Sequence, residues 1–367
     1  MPGKIKNILI IANSARMLAQ SANDIGYQAL CIDCFSDDDT QLLALDLIKV
    51  DSLALNYVKP AFLALANQHT ITHFIYGSGL DSHRNTFEFL HQHLIALGND
   101  LAVFSAVQNK AYFFSELNKL KIPYPQTVFK QPIDSKNWLL KPKAGEGGLA
   151  IKQWDTLDQD DSHSHYWQKY IVGIPMSVLF IANSQQYKII GFQQQLVTPI
   201  ADYPFVFSGV ISQPEVDNEI QQIVNQWLKK IVFKFALKGL NSLDFMVKDK
   251  QYYALEINAR PSASMQLYDD SLLSSHINCF IADNLDSGLD NMLPIKIYQA
   301  YQIVFAEMTV EINSKTKWPC WCVDIPKMGS IIHTGMPICS IIARDKNEQQ
   351  IKDLLLLRQQ EIKQLLL

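Results

Sequence analysis

The sequence lacks the features that mark a secreted, membrane-bound or nucleic-acid-binding protein. Six cysteines in 367 residues are too few for a disulfide framework and fit a reducing compartment. The net charge is −4 without a long basic run, which argues against nucleic acid as the main partner. Near the amino terminus, the apolar stretch before Asn13 is too short for a signal peptide or a membrane span. We therefore expect a cytoplasmic protein whose substrates are small molecules.

Motifs for dinucleotides, nucleotide phosphates and zinc are also missing. Neither the GxGxxG pattern of dinucleotide-binding folds nor the GxxxxGK[ST] phosphate loop occurs. Cys31 and Cys34 form a CxxC pair and Cys320 and Cys322 a CxC pair, but no histidine stands at a zinc-finger spacing. We interpret these cysteines as small apolar core residues, with a metal or redox role as the alternative.

What the chain does contain begins with a βαβ pattern. With 48% hydrophobic and 19% charged residues, it has the composition of a folded protein and the length of two or three domains. Residues 7–35 read as strand, helix and strand, THFIYG is a further strand, and a helix is predicted over 81–97. This predicts an open α/β domain whose ligands bind beyond the carboxyl ends of its strands.

Two loops fall at that edge of the predicted sheet. One contains Arg16, and the other is the run Gly77-Ser78-Gly79. Arg16 could clamp a substrate carboxylate through two hydrogen bonds, and the alternative is an ordinary solvated helix residue. We expect the glycine run to line the same cleft.

The rest of the chain alternates strands with two longer helices. A helix over 108–120 closes at the hinge IPYP. Two strands and another helix are predicted at 175–182, 187–196 and 215–236. From 298 onward the pattern is strands and turns, ending in an amphipathic helix that we expect to pack on the body of the protein or on a second subunit.

The stretch SLDFMVKDKQYYALEINARP reads as two strands with acids at even intervals. If Lys248 faces Tyr252 across the turn, Asp244 faces Glu256. Like charges directly opposite one another destabilise a hairpin by up to ~1 kcal/mol, so a cation is expected between them. Mg²⁺ prefers such oxygen ligands. The alternative is an exposed polar sheet face.

Further residues of this stretch share the face of the two acids. Met246 and Asn258 follow by alternation. Arg260, two residues further on, would present a fixed positive fork to a phosphoryl group.

Upstream, NWLLKPKAGEGGLAIKQW resembles a phosphate cradle. Leu139 and Lys141 lie on one side of a strand, and Gly145, Gly147 and Gly148 follow. Glycines let backbone N–H groups curl toward an anion, and a lysine at the strand end adds positive charge. An ordinary glycine-rich hairpin is the alternative. In the next strand, HYWQKYIVGIP, the Lys169 carbonyl and the Ile171 N–H could match the edge of adenine.

Together, these blocks in this order resemble the ATP-grasp superfamily of carboxylate ligases over roughly residues 5–300. The resemblance rests on lysine-proline, a glycine loop, a hinge strand, an acid and then Glu-x-Asn-x-Arg. It implies an α/β (α+β) protein with five parts. These are an open α/β domain at 1–107, a linker helix at 108–125, a flap at 126–172, a central ATP-grasp domain with the metal site at 173–297, and a β-rich extension with a helix at 298–367.

The resemblance also implies roles for individual residues, with ATP and Mg²⁺ as cofactors. Lys110 and Lys141 look like the lysines that reach nucleotide phosphate, and the three glycines look like the mobile lid. Asp244, where many members carry glutamate, looks like a metal ligand together with Glu256 and Asn258. Lys141 and Arg260 would act on the transferring phosphoryl group.

The same resemblance outlines a nucleotide pocket. The backbone of Lys169 and Ile171 would hold adenine, with Leu139 above the ring and Met246 below it. The family often has an acid where this chain has Gln168, so the contact of Gln168 with ATP is a weaker implication.

The substrate assignment rests on three segments. They are NSARMLAQSANDIGYQALCIDCFSDDDT after the first strand, FIYGSGL, and WPCWCVDIPKMGSIIHTGMPICSIIA in the tail. They are similar to predicted ATP-grasp carboligases that accompany tetrahydromethanopterin and methanofuran synthesis in one-carbon metabolism. This implies a ligase that builds a cofactor, for example by joining glutamate to tyramine. Gly209 would lie against the acceptor, and Arg16, Gly77, Ser78 and Gly79 would line the substrate cleft.

Two other functions stay open at this point. The tail resembles the small terminal domain of purine-pathway members that phosphorylate bicarbonate. A grasp domain without activity could also serve as a nucleotide sensor or scaffold, although Lys141, Glu256, Asn258 and Arg260 argue against that. By analogy with the superfamily, a homodimer is expected.

Overall fold

The computed structural model describes residues 6–134, 136–145, 147–154, 162–268, 271–282, 285 and 296–366. Within these residues the chain forms three larger β-sheets with helices packed against them. No helix in this part of the chain is long and apolar enough to cross a membrane.

The first sheet is parallel throughout. Its strands are β1 (Asn7–Ala12), β2 (Gln28–Asp33), β3 (Ala44–Lys49), β4 (His73–Tyr76) and β5 (Ile95–Ala96). They pair in the order β3-β2-β1-β4-β5. The accompanying helices are α1 (Arg16–Asp24), α2 (Asp38–Leu43), α3 (Leu55–Gln68), α4 (Arg84–His93), α5 (Leu101–Gln108) and α6 (Lys110–Lys119). Strand β1 is apolar because both its faces are covered: Ile8 and Ile10 pack in one core cluster, and Leu9 and Ile11 in another. The α/β class predicted from the sequence is confirmed.

The helix predicted over 81–97 is wrong in its bounds. A 3₁₀ turn at Leu80–Ser82 precedes α4, and the chain after α4 extends into β5, which pairs with β4. Leu94 and Leu97 are buried beside this edge strand. Pairing with the sheet therefore overrides the helical pattern of these residues.

The second sheet is small and belongs to the predicted flap. Its strands β6 (Thr127–Val128), β7 (Trp138–Pro142), β8 (Lys152–Gln153) and β9 (His165–Lys169) pair in the order β6-β9-β7-β8. One face is closed by a cluster of Trp138, Leu140, Trp154 and Trp167. Because side chains alternate along a strand, Leu139 and its neighbours in register lie on the opposite face.

The third sheet has eight strands and is antiparallel. Its strands are β10 (Ile174–Asn183), β11 (Tyr187–Ile200), β12 (Tyr203–Gln213), β13 (Lys238–Lys248), β14 (Gln251–Asn258), β15 (Tyr298–Phe305), β17 (Cys322–Val323) and β19 (Pro337–Asp345), in the order β14-β13-β10-β11-β12-β15-β19-β17. Two further strands, β16 (Val310–Glu311) and β18 (Ile331–Ile332), pair with each other. The remaining helices are α7 (Asn218–Phe235), α8 (Leu272–Ile281) and α9 (Glu348–Leu365).

The carboxyl-terminal segment is continuous with the central sheet, because β15 pairs with β12 and β19 pairs with β15. The final helix α9 buries Ile351, Leu355 and Ile362 in a core cluster with residues of β15 and β19. It therefore packs on the body of the protein. The domain boundaries proposed from the sequence stay predictions.

The register of the acidic hairpin differs from the prediction at the turn and agrees with it at the acids. Lys248 pairs with Gln251, because Asp249 and Lys250 both adopt positive φ and form a two-residue turn. The register then shifts between Asp244 and Phe245, where the extra residue of β14 forms a bulge. Asp244 is therefore opposite Glu256, as predicted.

The cysteines fit the interpretation as core residues only in part. Cys31 and Cys322 are buried, but Cys34 is half-buried and Cys320 is exposed. Burial raises the pKa of the Cys31 thiol, which keeps it protonated. Within the described ranges, no group of three or more His, Cys, Asp or Glu residues is arranged to hold a metal ion.

Two buried polar side chains connect the first sheet to the third. Asn99 donates to the carbonyls of Lys238 and Ala259, and its own amide oxygen accepts the Lys238 N–H. His276 on α8 accepts the Leu240 N–H at 2.8 Å through Nδ1 and donates through Nε2 to the Leu97 carbonyl at 2.9 Å. These partners require the neutral imidazole, and burial lowers the pKa of His276 to about 4.

The buried imidazole predicts an acid-sensitive stability. Because the unfolded histidine titrates near 6.5 while the folded pKa is about 4, the unfolded state binds the proton first. Stability should fall as the pH drops from about 6.5 toward 4, by about 2 kcal/mol between pH ~7 and ~5. Urea unfolding of the wild type and of His276→Asn at both pH values measures this term as the difference in pH dependence. His91→Asn, an exposed control, should match the wild type, and an equal pH dependence in His276→Asn would contradict the assignment.

Candidate functional site

The predicted metal ligands lie together where β13 and β14 meet at the bulge. Asp244 faces Glu256 across the pair of strands. Asn258 donates through Nδ2 to Asp244 Oδ2 at 3.3 Å, and Lys110 at the start of α6 donates through Nζ to Glu256 Oε2 at 3.2 Å. The Lys110 side chain is 7% exposed, while that of Glu256 is 36% exposed. The carboxylate end of the pair is therefore accessible from the cleft.

The two carboxyls titrate differently because their neighbours differ. Partial burial raises the pKa of Asp244, and the negative charge of Glu256 raises it further. Burial also opposes ionisation of Glu256, but the positive charges of Lys110 and Lys141 outweigh it and lower the pKa of that carboxyl. Asp244 is therefore the carboxyl of the pair that resists ionisation until a further cation is added.

The donor set fits Mg²⁺. Two carboxylates and an amide oxygen on one sheet face are the hard oxygen ligands that this ion takes, and phosphate and water oxygens usually complete its shell. The raised pKa of Asp244 has the same physical origin, an uncompensated negative charge. Asp244, Glu256 and Asn258 are therefore the residues that would hold the ion.

A polar row continues from the metal site across the central sheet. Asp244 is in register with Ser177, Ser177 with Gln193, and Gln193 with Ser212. Ser177 Oγ donates to Gln193 Oε1 at 2.9 Å, and Gln193 Nε2 donates to the Gly191 carbonyl at 2.8 Å. This row forms a polar floor beside the carboxylates.

The flap presents its second face to this floor. Lys141 is in register with Tyr166, and its Nζ lies 5.9 Å from the centre of that ring. Lys141 Nζ donates to Gln168 Oε1 at 3.1 Å, and Gln168 Nε2 donates to Thr127 Oγ1 at 3.0 Å. Burial lowers the pKa of Lys141 to about 8. A phosphate oxygen placed here would restore the full charge of this lysine.

The glycine loop lies docked on β12. The Phe207 N–H donates to the Gly147 carbonyl at 2.8 Å. Gly148 has φ +72°, and a Cβ at that position would stand 1.9 Å from the Phe205 carbonyl oxygen. Gly147 also has positive φ, +65°, but its Cβ would meet nothing within 4 Å, and Gly145 has φ +151°. Close approach to β12 therefore explains why glycine occupies position 148.

The segment at the end of β9 contains Lys169 and Ile171, whose backbone is predicted to hold adenine, and that role stays a prediction. The Lys169 side chain turns to the tryptophan face, where Nζ donates to the Lys136 carbonyl and lies 4.1 Å from the centre of the Trp138 ring. The irregular segment with Ile171 then runs to Gly173, where a Cβ would stand 2.4 Å from the Val247 carbonyl oxygen. It therefore passes over the end of β13.

Leu139 and Met246 lie on the two sides that the predicted nucleotide would contact. Leu139 is on the inner face of the flap, opposite Gln168. Met246 follows Asp244 on the same face of β13, and its Cγ would stand 3.2 Å from a Cβ at Gly173. Their place above and below adenine stays a prediction.

Arg260 joins the metal strand to the first sheet. Its Nε donates to Asp81 Oδ2 at 2.7 Å, and both side chains are less than a tenth exposed. Asp81 lies two residues after Gly79 in the chain, and nothing in the sequence marks it as the partner of Arg260. The structure therefore adds Asp81 as the residue that positions the Arg260 guanidinium.

The two loops predicted to line the cleft pack against each other. The Asn13 N–H donates to the Ser78 carbonyl at 2.8 Å. A Cβ on Gly77 would stand 2.9 Å from Ala12 Cβ, and one on Gly79, at φ +97°, would overlap the Asn13 side chain. These glycines permit close contact between the ends of β1 and β4.

Arg16 makes an internal ion pair. Its Nε donates to Asp324 Oδ1 at 3.0 Å and its Nη2 to Gln266 Oε1 at 2.7 Å, and the residue is 7% exposed. Asp324 also accepts the Tyr301 hydroxyl at 3.1 Å. A clamp on a substrate carboxylate would compete with Asp324, so that role of Arg16 stays a prediction.

Gly209 lies in the sheet where β12 meets β15. A Cβ there would stand 2.2 Å from the Tyr301 carbonyl oxygen, so close backbone packing accounts for the glycine.

Sequence reasoning missed Gln195, which hydrogen-bonds to the Asp244 carboxyl. The only available signal was its place in the polar run QQQ of a strand.

Comparison with known proteins agrees with this geometry. Residues 107–264 match the ATP-grasp domain family. These residues therefore contain an ATP-grasp domain, which confirms the domain predicted from the sequence.

Two sequence relatives match part of the chain. An uncharacterized protein of Methanocaldococcus jannaschii is 25% identical over 262 residues, which cover 68% of this chain and 64% of that protein. The D-alanine–D-alanine ligase of Desulforamulus reducens is 23% identical over 109 residues, 28% of this chain and 35% of the ligase. The matches thus span less than two thirds of the length of these relatives.

Solved structures resemble nearly the whole chain. A biotin carboxylase–β-γ-ATP complex from Campylobacter jejuni has a TM-score of 0.75 at 16% identity, covering 96% of this chain and 90% of that one. The biotin carboxylase domain of Hydrogenobacter thermophilus 2-oxoglutarate carboxylase, in complex with MgADP, ADP and bicarbonate, has a TM-score of 0.74 at 13% identity, covering 96% and 89%. N5-carboxyaminoimidazole synthetase from Staphylococcus aureus has a TM-score of 0.65 at 14% identity, covering 95% and 96%. At these identities the likeness shows the fold, and the MgADP of the second structure agrees with the predicted cofactors ATP and Mg²⁺.

The raised pKa of Asp244 predicts that metal binding releases a proton. Mg²⁺ requires the ionised carboxyl, so the affinity for Mg·ADP should increase as the pH rises through the pKa of Asp244 and level off above it. Calorimetric titration in buffers of different ionisation enthalpy measures the released protons. Asp244→Asn should bind more weakly and lose most of this proton release, and an unchanged release in that variant would contradict the assignment.

The docked loop predicts different outcomes for two neighbouring glycines. Gly148→Ala should displace the loop, because its Cβ cannot share space with the Phe205 carbonyl. We expect the KM for ATP to rise on the order of tenfold, about 1.4 kcal/mol. Gly147→Ala is the matched control, since it shares the positive φ without the clash. Equal KM values for the two variants would show that docking on β12 does not matter for nucleotide binding.

Proposed function

We propose that the protein is an ATP-dependent carboxylate–amine ligase that forms ADP through an acylphosphate intermediate. The observation that carries the proposal is the facing pair Asp244 and Glu256 on the central sheet. Their charge is compensated by Lys110 from α6 and by Lys141 from the flap. This charge pattern suits a transferring phosphoryl group with its metal ion.

In the proposed reaction, a carboxylate oxygen of the donor attacks the γ-phosphorus of ATP, and the bond to the β-γ bridging oxygen breaks to release ADP. The amine nitrogen then attacks the acyl carbon, phosphate leaves, and the nitrogen loses a proton as the amide forms. Bound at Asp244, Glu256 and Asn258, Mg²⁺ would neutralise the developing phosphate charge. No nucleophilic side chain of the protein is needed.

The residues of the chain supply position and charge. Lys110 and Lys141 would stabilise the phosphate oxygens, and Arg260, held by Asp81, would face the transferring group. The loop of Gly145, Gly147 and Gly148 would exclude water that hydrolyses the acylphosphate. Adenine would lie between Leu139 and Met246 against the backbone of Lys169 and Ile171, with Gln168 holding Lys141.

For the substrates, we propose glutamate and an amine such as tyramine, in the synthesis of a one-carbon cofactor. Support comes from the similarity of the segments around Arg16, FIYGSGL and the tail to predicted carboligases of that metabolism. The cleft would be lined by Arg16, Gly77, Ser78, Gly79 and Gly209. A cytoplasmic location and a homodimer belong to the same proposal.

A second candidate is a ligase that phosphorylates bicarbonate. It is favoured by the likeness to biotin carboxylase structures over 96% of the chain, which includes the tail strands β15 and β19. Both candidates use the same nucleotide site, and they differ in the carboxylate that receives the phosphoryl group.

The test is ADP release by the purified protein with Mg·ATP and glutamate, tyramine and bicarbonate, singly and in pairs. We expect glutamate and tyramine together to stimulate release, and Glu256→Ala to abolish it without unfolding the protein. Glu215→Ala, which removes an exposed acid, is the matched control. Stimulation by bicarbonate alone would replace the first candidate with the second. Nucleotide binding without ADP release under any condition would favour a sensor, and normal release by Glu256→Ala would contradict the metal assignment.

A further inference from the structure

The two lysines assigned to the nucleotide phosphate are held in different ways. Lys110 Nζ donates to a carboxylate oxygen, Glu256 Oε2, at 3.2 Å on β14. Lys141 Nζ donates to a neutral acceptor, the amide oxygen of Gln168, at 3.1 Å. The charge of Lys110 is therefore compensated directly, whereas the position of Lys141 depends on how the Gln168 amide is turned.

The Gln168 amide can present either its oxygen or its NH₂ group to Lys141, and only the oxygen can hold the lysine. An ammonium has three N–H donors and no acceptor. If the amide were turned over, donors would face donors and this contact would be lost. Gln168 is 1% exposed, so bulk water has almost no access to either half of the amide. The orientation is therefore selected by a neighbouring group of the protein.

Thr127 makes this selection from the adjacent strand. It pairs in register with Gln168, and Gln168 Nε2 donates to Thr127 Oγ1 at 3.0 Å. The hydroxyl has a single proton, and it donates that proton to the Pro125 carbonyl at 2.8 Å. Because a carbonyl can only accept, the Thr127 oxygen is left to accept from Gln168. The NH₂ group of the amide is thus held at Thr127, and the amide oxygen is turned to Lys141.

The hinge that carries Pro125 is itself fixed to the strand of the predicted metal ligands. Pro125 ends the hinge IPYP between α6 and the flap. Two residues earlier, the Pro123 carbonyl accepts the N–H of Ala254 in β14 at 2.8 Å. Ala254 lies two residues before Glu256 on that strand. The flap lysine is therefore held in a fixed relation to the carboxylates across the cleft.

A purely structural role for Thr127 is the alternative, because its bond to Pro125 also closes a local turn at the start of β6. A structural threonine would matter whatever side chain stands at position 141. A threonine that acts by turning the amide would matter only while an ammonium is present there. Double variants therefore separate the two roles.

We propose that Thr127 is a positioning residue for nucleotide binding, which orients the Gln168 amide so that Lys141 is held for the nucleotide phosphate. The inference rests on the proposed contact of Lys141 with phosphate and is independent of the amide-forming reaction. A carboxylate at position 168 would need no such orientation, because both of its oxygens accept.

The test is calorimetric titration of the full chain with Mg·ADP. Thr127→Val keeps the branched shape of the side chain and removes the hydroxyl, so we expect the Kd to rise about fivefold, which is ~1 kcal/mol. Thr127→Ser, the matched control, keeps the hydroxyl and should bind like the wild type. Urea unfolding of each variant verifies that it is folded. An unchanged Kd in Thr127→Val, or an equal loss in Thr127→Ser, would overturn the inference.

Removal of the ammonium separates positioning from structure. Lys141→Met should itself bind Mg·ADP more weakly than the wild type. In that background, Thr127→Val should change the Kd by less than about twofold, because no lysine remains to be positioned. A loss in the double variant as large as in Thr127→Val alone would show a structural role and overturn the inference.

Gln168→Glu tests the orientation of the amide itself. Either carboxylate oxygen can accept from Lys141, so Thr127→Val should again change the Kd by less than about twofold in this background. The same loss as in the otherwise wild-type protein would mean that Thr127 does not act by turning the amide, and would overturn the inference.

This inference and the ligase function can fail separately, because the titrations involve no turnover. A protein that shows the expected Kd values but releases no ADP from ATP would keep Thr127 as a positioning residue and lose the ligase function. Unchanged binding in Lys141→Met, or a wild type that does not bind Mg·ADP, would remove the proposed phosphate contact of Lys141 and this inference with it.

Discussion

Two carboxylates that face each other on neighbouring strands constrain most of the site. Asp244 and Glu256 are brought together by a bulge in β14, and their repulsion is reduced by cations from other parts of the chain. Lys110 comes from α6 and Lys141 from the flap, while Arg260 is held from the first sheet by Asp81. The placement of all three sheets therefore converges on one cluster of charge, to which a metal ion with phosphate would add the missing positive charge.

The flap illustrates how a small sheet can serve two purposes. Its outer face is closed by tryptophans that bury most of their surface, which gives four short strands a core of their own. Its inner face carries Lys141 and Gln168, whose hydrogen bond holds the lysine over the cleft. Because residues alternate between faces, a single strand supplies both the packing and the lysine that is proposed to contact phosphate.

The tail does more than complete the sheet. Its strands continue the central sheet past β12, and the loop after β17 brings Asp324 to Arg16 and Tyr301. This contact connects the far end of the central sheet to the carboxyl edge of the first one. The tail and the first sheet are thereby joined by a buried ion pair.

The sequence by itself determined the α/β class, the order of the blocks and the facing of Asp244 and Glu256, because strand alternation and the type of residue at each end are local properties. It did not determine how the two acids come to face each other. The turn at Asp249 and Lys250 shifts the register from the predicted one, and the bulge in β14 shifts it back before Asp244. Nothing local marked His276, whose partners Leu240 and Leu97 lie in other elements. Likewise, nothing local marked Asp324, 308 residues away, as the partner of Arg16. Only the tertiary structure decided these partners, because charge compensation and burial depend on which distant segments meet.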